Sequence, residues 1–379
     1  MANAMTTERT QPSIGSTATP KRSLVAAVGI AVIVTVVGVI AYNARMGAVS
    51  PRIANPEVTG VPRPVEFLFA WPYWLVLHQA GTVVMMLTLI AVCVWAWRRH
   101  PAHPYLLMVA ASTAIVWQDP IMNWAPYAVY NPQLWHFPEE WPLVRLSPTV
   151  EPFIVIGYST FYFIGPFFAS SWILRRLQAR ASGDSFVWRR PLVSLAVLLF
   201  MTGFIMDAIL EIFLVRTGLY IYSQVMPWGS VFAGTTFQFP LIWESALVTV
   251  VMIPAGVLCY RDDTGRTQAE KLARRLRWFR TRPALATFLV MAGILNVAYF
   301  FYGAGFAAIR ASKLATAVAC PWPYPEAQVY DPQGFYESEG QPGPYFEGHW
   351  NGWMTAQPNG RPTVNPVKDD GYCRPDNDA

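Results

Sequence analysis

The chain has 379 residues, of which 54% are apolar and only 13% are charged, and its formal net charge is +5. This composition, together with several apolar runs of membrane-spanning length, excludes an ordinary soluble domain and predicts a polytopic membrane protein. The basic residues flank the apolar runs instead of forming one solvated face, so we expect no nucleic-acid partner. The four cysteines show none of the spacings typical of zinc or iron–sulfur sites.

The N-terminal part is predicted to be a disordered cytoplasmic segment over residues 1–23, because it is rich in Thr, Ser and Pro. The apolar run Leu24–Tyr42 follows. It could be a signal-peptide core, but it is long for one and no convincing cleavage site follows it, so we predict an uncleaved first helix.

Six further apolar segments follow, each of about 20 to 26 residues, which is enough to cross about 30 Å of hydrocarbon at 1.5 Å per residue. We therefore predict an all-α fold with about seven transmembrane helices in a domain covering residues 24–309, followed by an external tail over 310–379. The six segments are 72–97, 104–124, 152–174, 191–215, 238–260 and 284–309.

The arginines and lysines indicate the orientation of these helices. They concentrate in the loops that follow the second, fourth and sixth predicted helices, whereas the alternate loops carry single arginines such as Arg145 and Arg216. The positive-inside rule then places the N-terminus inside and the C-terminal tail outside, which is the reverse of rhodopsin-type receptors. The clustered residues include Arg98, Arg99, Arg175, Arg176, Arg180, Arg189, Arg190, Arg261, Arg266, Lys271, Arg274 and Arg275.

Two predicted outer segments, 125–150 and the tail from 320, are dense in Pro, Trp and Tyr. Disordered segments are poor in aromatic residues, so we expect these two to cap the outer face. An aromatic belt at the membrane interface without a catalytic role is an equally good interpretation. Cys320 and Cys373 lie in the tail and could form a disulfide in an oxidising compartment.

Five acidic residues lie inside or at the edge of apolar segments, and all fall in the predicted outer half of the bilayer. Carboxylates at such depth are expensive, which makes them a functional-site hypothesis. We take Asp119, Asp207, Glu211 and Glu244 as candidate catalytic residues, together with His78 near the start of the second predicted helix. The fifth acid, Glu151, precedes Pro152 at the start of a predicted helix, where a capping role is the better interpretation.

The third predicted helix contains the stretch WQDPIMNW at 117–124, in which Pro120 should break the helix. Broken helices are tolerated at membrane depth where they face protein or a water-filled cavity, so we expect Asp119 to face a cavity. The alternative is a polar kink that ends the helix at the interface. We assign substrate-binding roles to neighbouring polar and aromatic residues: Trp117, Gln118, Asn123, Trp124, Tyr158, Tyr162, Gln238, Trp243, Asn296 and Tyr299.

Asp207 and Glu211 are four residues apart, which puts both carboxyl groups on one helix face. Two such groups in a low dielectric cannot both ionise cheaply, so one should hold its proton, as general acid–base catalysis requires. The structural alternative pairs Glu211 with Arg216 and Asp207 with Asn296, and Asn296 is most simply an interhelical hydrogen-bonding residue. The acids and the single His78 show no metal-ligand spacing, so we predict neither a metal nor a cofactor.

The stretches WQDPIMNW (117–124), IMDAILE (205–211) and QFPLIWES (238–245), with the aromatic and proline-rich outer segments, resemble the AveC-like spirocyclase family of actinobacterial multi-span proteins. The resemblance implies a cofactor-independent enzyme of secondary metabolism in the bacterial plasma membrane. It would cyclise a hydrophobic polyketide or lipid by acid catalysis without redox chemistry. Three alternatives stay open: an isoprenoid cyclase or hydratase, a non-enzymatic lipid-binding or proton-coupled transport protein, and an accessory scaffold of a cell-envelope assembly with the outer tail as its docking surface.

Overall fold

The computed structural model describes residues 34, 38, 65–100, 102–125, 128–139, 141–144, 147–276, 281–312, 314–319, 323–324, 366–369 and 372–375. Within these residues, six helical spans are long and apolar enough to cross a membrane: Trp74–Arg99, Pro104–Asn123, Ile154–Arg180, Pro191–Arg216, Leu241–Cys259 and Pro283–Ile309. They confirm the six later predicted helices and the mostly helical membrane fold. The predicted first helix, most of the tail and the Cys320–Cys373 disulfide lie outside the described side chains.

Three of the membrane-spanning segments begin at a proline. Pro104, Pro191 and Pro283 each lie at the first positions of a long helix, where the missing N–H costs no hydrogen bond. The helices are α1 (Trp74–Arg99), α2 (Pro104–Thr113), α3 (Asp119–Trp124), α4 (Ile154–Arg180), α5 (Phe186–Arg189), α6 (Pro191–Arg216), α7 (Leu241–Leu247), α8 (Thr249–Cys259), α9 (Gln268–Ala273) and α10 (Pro283–Ala311).

The span that contains WQDPIMNW is broken, as predicted, but the break precedes the proline. Helix α2 ends at Thr113, a short 3₁₀ turn covers Val116–Gln118, and α3 begins at Asp119. Pro120 therefore lies in the first turn of α3, where it is tolerated, and does not end the helix. The expectation that Pro120 terminates the helix is wrong in this detail, and Asp119 starts a new helix inside the protein.

The long helices pack into one bundle with α4, α6, α8 and α10 at its centre. Close approach depends on Gly203 of α6, where an added Cβ would lie 2.8 Å from Met252 Sδ of α8. The apolar core between these helices includes the fully buried Leu195, Leu199 and Leu295. This packing brings the polar faces of α4, α6 and α10 together at one end of the bundle.

Short strands cover that end. β1 (Ala128–Tyr130) pairs antiparallel with β2 (Tyr220–Tyr222), with Val129 opposite Ile221. β3 (Gln224–Val225) pairs with β4 (Ala317–Val318), and both contribute to the same apolar cluster as β1 and β2. In the tail, β5 (Pro366–Asp369) pairs with β6 (Tyr372–Pro375). All residues of β1 and β2 are buried, and they form a second apolar core with the adjoining loops. The described part of the aromatic segment 125–150 therefore packs with β2 and the adjoining helix ends.

Candidate active site

The first acidic centre is built around Asp119 at the start of α3. Its Oδ1 accepts hydrogen bonds from the hydroxyls of Tyr299 (2.6 Å) and Tyr158 (3.1 Å), and its Oδ2 accepts one from Asn123 Nδ2 (3.2 Å). The same Asn123 nitrogen donates to Glu151 Oε2 at 3.1 Å. Asn123 thus bridges two carboxyl groups, and we call these five residues the Asp119 centre.

Glu151 belongs to this centre and is not a helix cap. Helix α4 begins at Ile154, and its N-cap Phe153 has no side-chain capping bond, so the capping interpretation is wrong. Burial raises the pKa of Glu151 well above its ordinary value, and the charge of Asp119 raises it further. Glu151 Oε1 has no hydrogen-bond partner in the described part of the chain. Near neutral pH, the Asp119 centre therefore favours holding a proton on Glu151.

The second acidic centre joins the two acids of α6 to one of α7. Asp207, Glu211 and Glu244 are all buried, and one carboxyl oxygen from each lies within 4.8 Å of the other two. The predicted i, i+4 pair is confirmed as two neighbouring groups, and the structure adds Glu244 to it. We call these three residues the three-carboxylate cluster.

Tyrosine hydroxyls donate hydrogen bonds to two of the three acids of the cluster. Glu211 accepts hydrogen bonds from Tyr220, from Tyr222 at 3.2 Å and from Tyr162 at 3.4 Å. Glu244 Oε1 accepts one from Tyr302 at 2.7 Å. The predicted pairing of Glu211 with Arg216 does not form, because the Arg216 guanidinium lies 4.2 Å above the ring of Phe237.

Tyr220 and Tyr222 were missed in the sequence analysis. They occupy alternate positions of β2, where side chains two residues apart point to the same face of a strand, and β2 closely follows the helix that carries Glu211. The Tyr-Ile-Tyr alternation could have identified them. Burial raises the pKa of both phenols, and the charge of Glu211 raises it further, so both act as neutral hydrogen-bond donors.

Both centres line one cavity of about 290 Å³. Asp119, Asn123, Glu211 and Glu244 reach this cavity, together with seven tyrosines and an otherwise largely apolar lining. No Lys, Arg or His lies among its described lining residues, so the carboxylates have no side-chain counter-ion there. The tyrosines are Tyr130, Tyr158, Tyr162, Tyr220, Tyr222, Tyr299 and Tyr302.

One side of the cavity reaches the exposed surface of the helical bundle. Phe161 of α4 and Leu210 of α6 line the cavity and are also 37% and 36% exposed. The flexible side chains of Met85 and Met206 lie beside them in the lining. We call this apolar part of the lining, in which Phe161 and Leu210 are also partly exposed, the lateral wall.

Several candidate binding residues lie elsewhere in the bundle. Asn296 Oδ1 accepts hydrogen bonds from Trp117 Nε1 at 2.9 Å and Gln118 Nε2 at 3.0 Å, and none of the three lines the cavity. Asn296 Nδ2 also donates to the backbone carbonyl of Ala292. The described partners of the Asn296 side chain thus include Trp117 and Gln118, and the predicted pairing of Asn296 with Asp207 does not form. Its predicted role as an interhelical hydrogen-bonding residue is confirmed.

The remaining candidates have structural partners. His78 Nε2 lies 3.3 Å from the carbonyl oxygen of Thr217, and Gln238 donates to the carbonyls of Tyr222 and Ala317. Trp243 donates to the carbonyl of Trp228 at 2.8 Å. None of His78, Gln238 and Trp243 lines the cavity, and the side chain of Trp124 lies outside the described residues.

The sequence profile of the spirocyclase AveC-like family matches residues 97–330, which is more than half of the chain. No curated protein and no solved structure matches the chain. The chain belongs to the AveC-like spirocyclase family. The matched range contains every residue of the Asp119 centre and of the three-carboxylate cluster.

Proposed function

We propose that the protein is a membrane-embedded enzyme of the bacterial plasma membrane that catalyses acid-assisted, redox-neutral cyclisation of a hydrophobic polyketide or lipid. The observation that carries this proposal is the apolar cavity of about 290 Å³ that presents carboxyl groups and tyrosine hydroxyls but no described cationic side chain. Such a cavity suits a reaction that passes through a cation, because carboxylates and aromatic faces stabilise positive charge in a dry site.

The reaction of the spirocyclase type converts a hemiketal that carries a second hydroxyl into a spiroketal. A proton from the enzyme is transferred to the hemiketal hydroxyl, and the C–O bond breaks so that water leaves with the bonding electrons. The resulting oxocarbenium ion is attacked by the second hydroxyl oxygen, which forms the new C–O bond and returns its proton to the enzyme. The net change is the loss of one water, without oxidation or reduction.

The Asp119 centre has the groups that this proton transfer needs. Asp119 lines the cavity, whereas Glu151 does not line it and shares the Asn123 amide with Asp119. The raised pKa of Glu151 favours a proton on this pair. We assign Asp119 as the group that exchanges the proton with the substrate and stabilises the oxocarbenium ion, and Glu151 as the residue that keeps the pair protonated between turnovers.

A hydrophobic substrate would reach the cavity through the lateral wall. Phe161 and Leu210 contact both the cavity and the lipid-facing surface, so a rotation of these side chains would open a path from the hydrocarbon. This route keeps bulk water away from the acidic centres, which strengthens their electrostatic interaction with a passing cation.

The test is metabolite and lipid profiling of a strain that lacks the gene, complemented with the wild-type gene, with Asp119→Asn or with Asp184→Asn. Asp184 is an exposed acid of the basic loop after α4 and serves as the matched control. We expect the deletion strain and Asp119→Asn to accumulate a precursor that is one water heavier than the product formed in the other two strains. Profiles without any precursor, in which a lipid is only redistributed between membrane and medium, would favour the transport alternative and refute the proposal.

A further inference from the structure

We infer that the three-carboxylate cluster binds one hard divalent cation of the Mg²⁺, Mn²⁺ or Ca²⁺ class, held by Asp207, Glu211 and Glu244. This inference departs from the sequence-based expectation of no metal. That expectation rested on the absence of metal-ligand spacing, but the third ligand comes from a different helix and so leaves no local motif.

The separations of the carboxyl oxygens fit a common ligand. One oxygen from each residue lies within 4.8 Å of the other two. Oxygen ligands lie about 2.0–2.6 Å from Mg²⁺ or Ca²⁺, so two ligands of one ion can be no more than about 5.2 Å apart. An all-oxygen set of carboxylates without a described histidine or cysteine favours these hard cations over zinc or copper.

Unsatisfied polar atoms at the cluster point to a missing partner. Both carboxyl oxygens of Asp207, which is 0% exposed, and Oε2 of Glu244 have no hydrogen-bond partner in the described part of the chain. The hydroxyl of Ser245, next to Glu244 and also 0% exposed, lies at Asp207 but forms no hydrogen bond of standard geometry with it. Buried polar atoms are almost always paired with protein, water or an ion, so several in one place require an occupant.

The charges of the cluster also require a partner. Glu211 and Glu244 accept hydrogen bonds from tyrosine hydroxyls, and such bonds favour the ionised form of a carboxyl group. No Lys, Arg or His lines the cavity in the described part, and Arg216 packs on Phe237 instead. Three adjacent buried carboxyl groups without a cation are costly, and a divalent ion would neutralise two negative charges at once.

A cation at this position would lie within reach of the substrate, because Glu211 and Glu244 line the cavity. There it would polarise a carbonyl or hydroxyl oxygen of the substrate and complement the proton of the Asp119 centre. This role rests on the proposed function, whereas cation binding itself does not.

The test uses the full-length protein, purified in detergent, stripped with a chelator and titrated with Mn²⁺. Free Mn²⁺ is followed by its electron paramagnetic resonance signal, and Mg²⁺ and Ca²⁺ are added as competitors. We expect one bound Mn²⁺ per chain, with affinity reduced at least tenfold in Asp207→Asn and in Glu244→Gln. Asp119→Asn and Asp184→Asn should bind Mn²⁺ as the wild type does, because they remove acids outside the cluster.

A second readout covers the case in which one cluster variant fails to fold. Mn²⁺ should raise the unfolding temperature of the wild type, as any ligand of the native state does, and this shift should vanish in whichever of Asp207→Asn and Glu244→Gln is monodisperse. The inference is overturned if the wild type binds none of the three ions at millimolar concentration, or if both cluster variants bind as tightly as the wild type. If the protein binds the cation but the deletion strain shows the same metabolite profile as the wild type, the proposed function is refuted and the cation site is not.

Discussion

The hydrogen bonds to Asp119 provide a quantitative test of the first acidic centre. Tyr299→Phe removes only the hydroxyl that donates to Oδ1 at 2.6 Å, and the remaining ring can keep its stacking on Tyr302 at 5.5 Å. A buried hydrogen bond to a charged group contributes about 1.5–3 kcal/mol, so we expect the free energy of unfolding to fall by that amount. Tyr158→Phe removes the longer bond of 3.1 Å to the same oxygen and should cost about 0.5–1.5 kcal/mol.

The double variant Tyr299→Phe/Tyr158→Phe should cost more than the sum of the two single changes. Oδ1 would then be buried without either donor, and an unsatisfied charged group carries its full desolvation penalty. The assay is SDS titration of the purified protein in mixed micelles, followed by tryptophan fluorescence. Tyr105→Phe, in which a ring packed on Phe168 is retained, should change stability by less than about 0.5 kcal/mol. A double variant that loses no more than Tyr105→Phe would refute the assigned hydrogen bonds.

Three other predictions follow from the same geometry. The pKa of Glu151 is raised in the folded protein, so this group stabilises the fold fully below its ordinary pKa of 4.5, and that stabilisation is lost as pH rises, by up to about 1.4 kcal/mol per pH unit. Glu151→Gln should flatten the dependence of the unfolding free energy on pH, and a variant with the wild-type dependence would contradict this prediction. Leu210→Trp should obstruct the lateral wall and slow product formation in cells at least several-fold, whereas Val197→Trp on the same helix, exposed but outside the cavity lining, should not; equal effects would refute the access route. In a chain whose native cysteines are replaced, a cysteine at Trp228 should react with a membrane-impermeant maleimide added outside, and one at Ser182 should not; the opposite pattern would reverse the predicted orientation.

Helix positions could be predicted from the sequence because length and apolar character are local properties. The segments predicted at 191–215 and 284–309 differ from Pro191–Arg216 and Pro283–Ile309 by one residue at an end. The proximity of Asp207 and Glu211 could also be predicted, because residues four positions apart lie about one turn apart on the same helix face. The broken third span was predicted from Pro120, but its detail was not, because the 3₁₀ turn at Val116–Gln118 has no strong sequence signal.

Contacts between distant segments could not be predicted. Glu244 reaches the acids of α6 only because α7 packs beside that helix, and no spacing rule states which helices are neighbours. Glu151 looked like a helix cap because the acid–proline pattern has that local meaning, but Asn123, 28 residues earlier, captures its side chain. His78 and Gln238 were selected for their polar character at membrane depth, and the structure uses both to satisfy backbone carbonyls.

The two acidic centres differ in a way that assigns them different chemistry. Both oxygens of Asp119 accept hydrogen bonds, so this carboxyl group is held in one orientation, which suits the proton-transfer role proposed for it. Among the described residues, Asp207 accepts no hydrogen bond of standard geometry, and one oxygen of the Glu244 carboxyl group has no partner. Seven tyrosines line the cavity, but none of them donates a hydrogen bond to Asp207. This difference is consistent with the cation site that we infer at Asp207. The division predicts that the pH dependence of activity follows the Asp119 centre, and that its cation dependence follows Asp207.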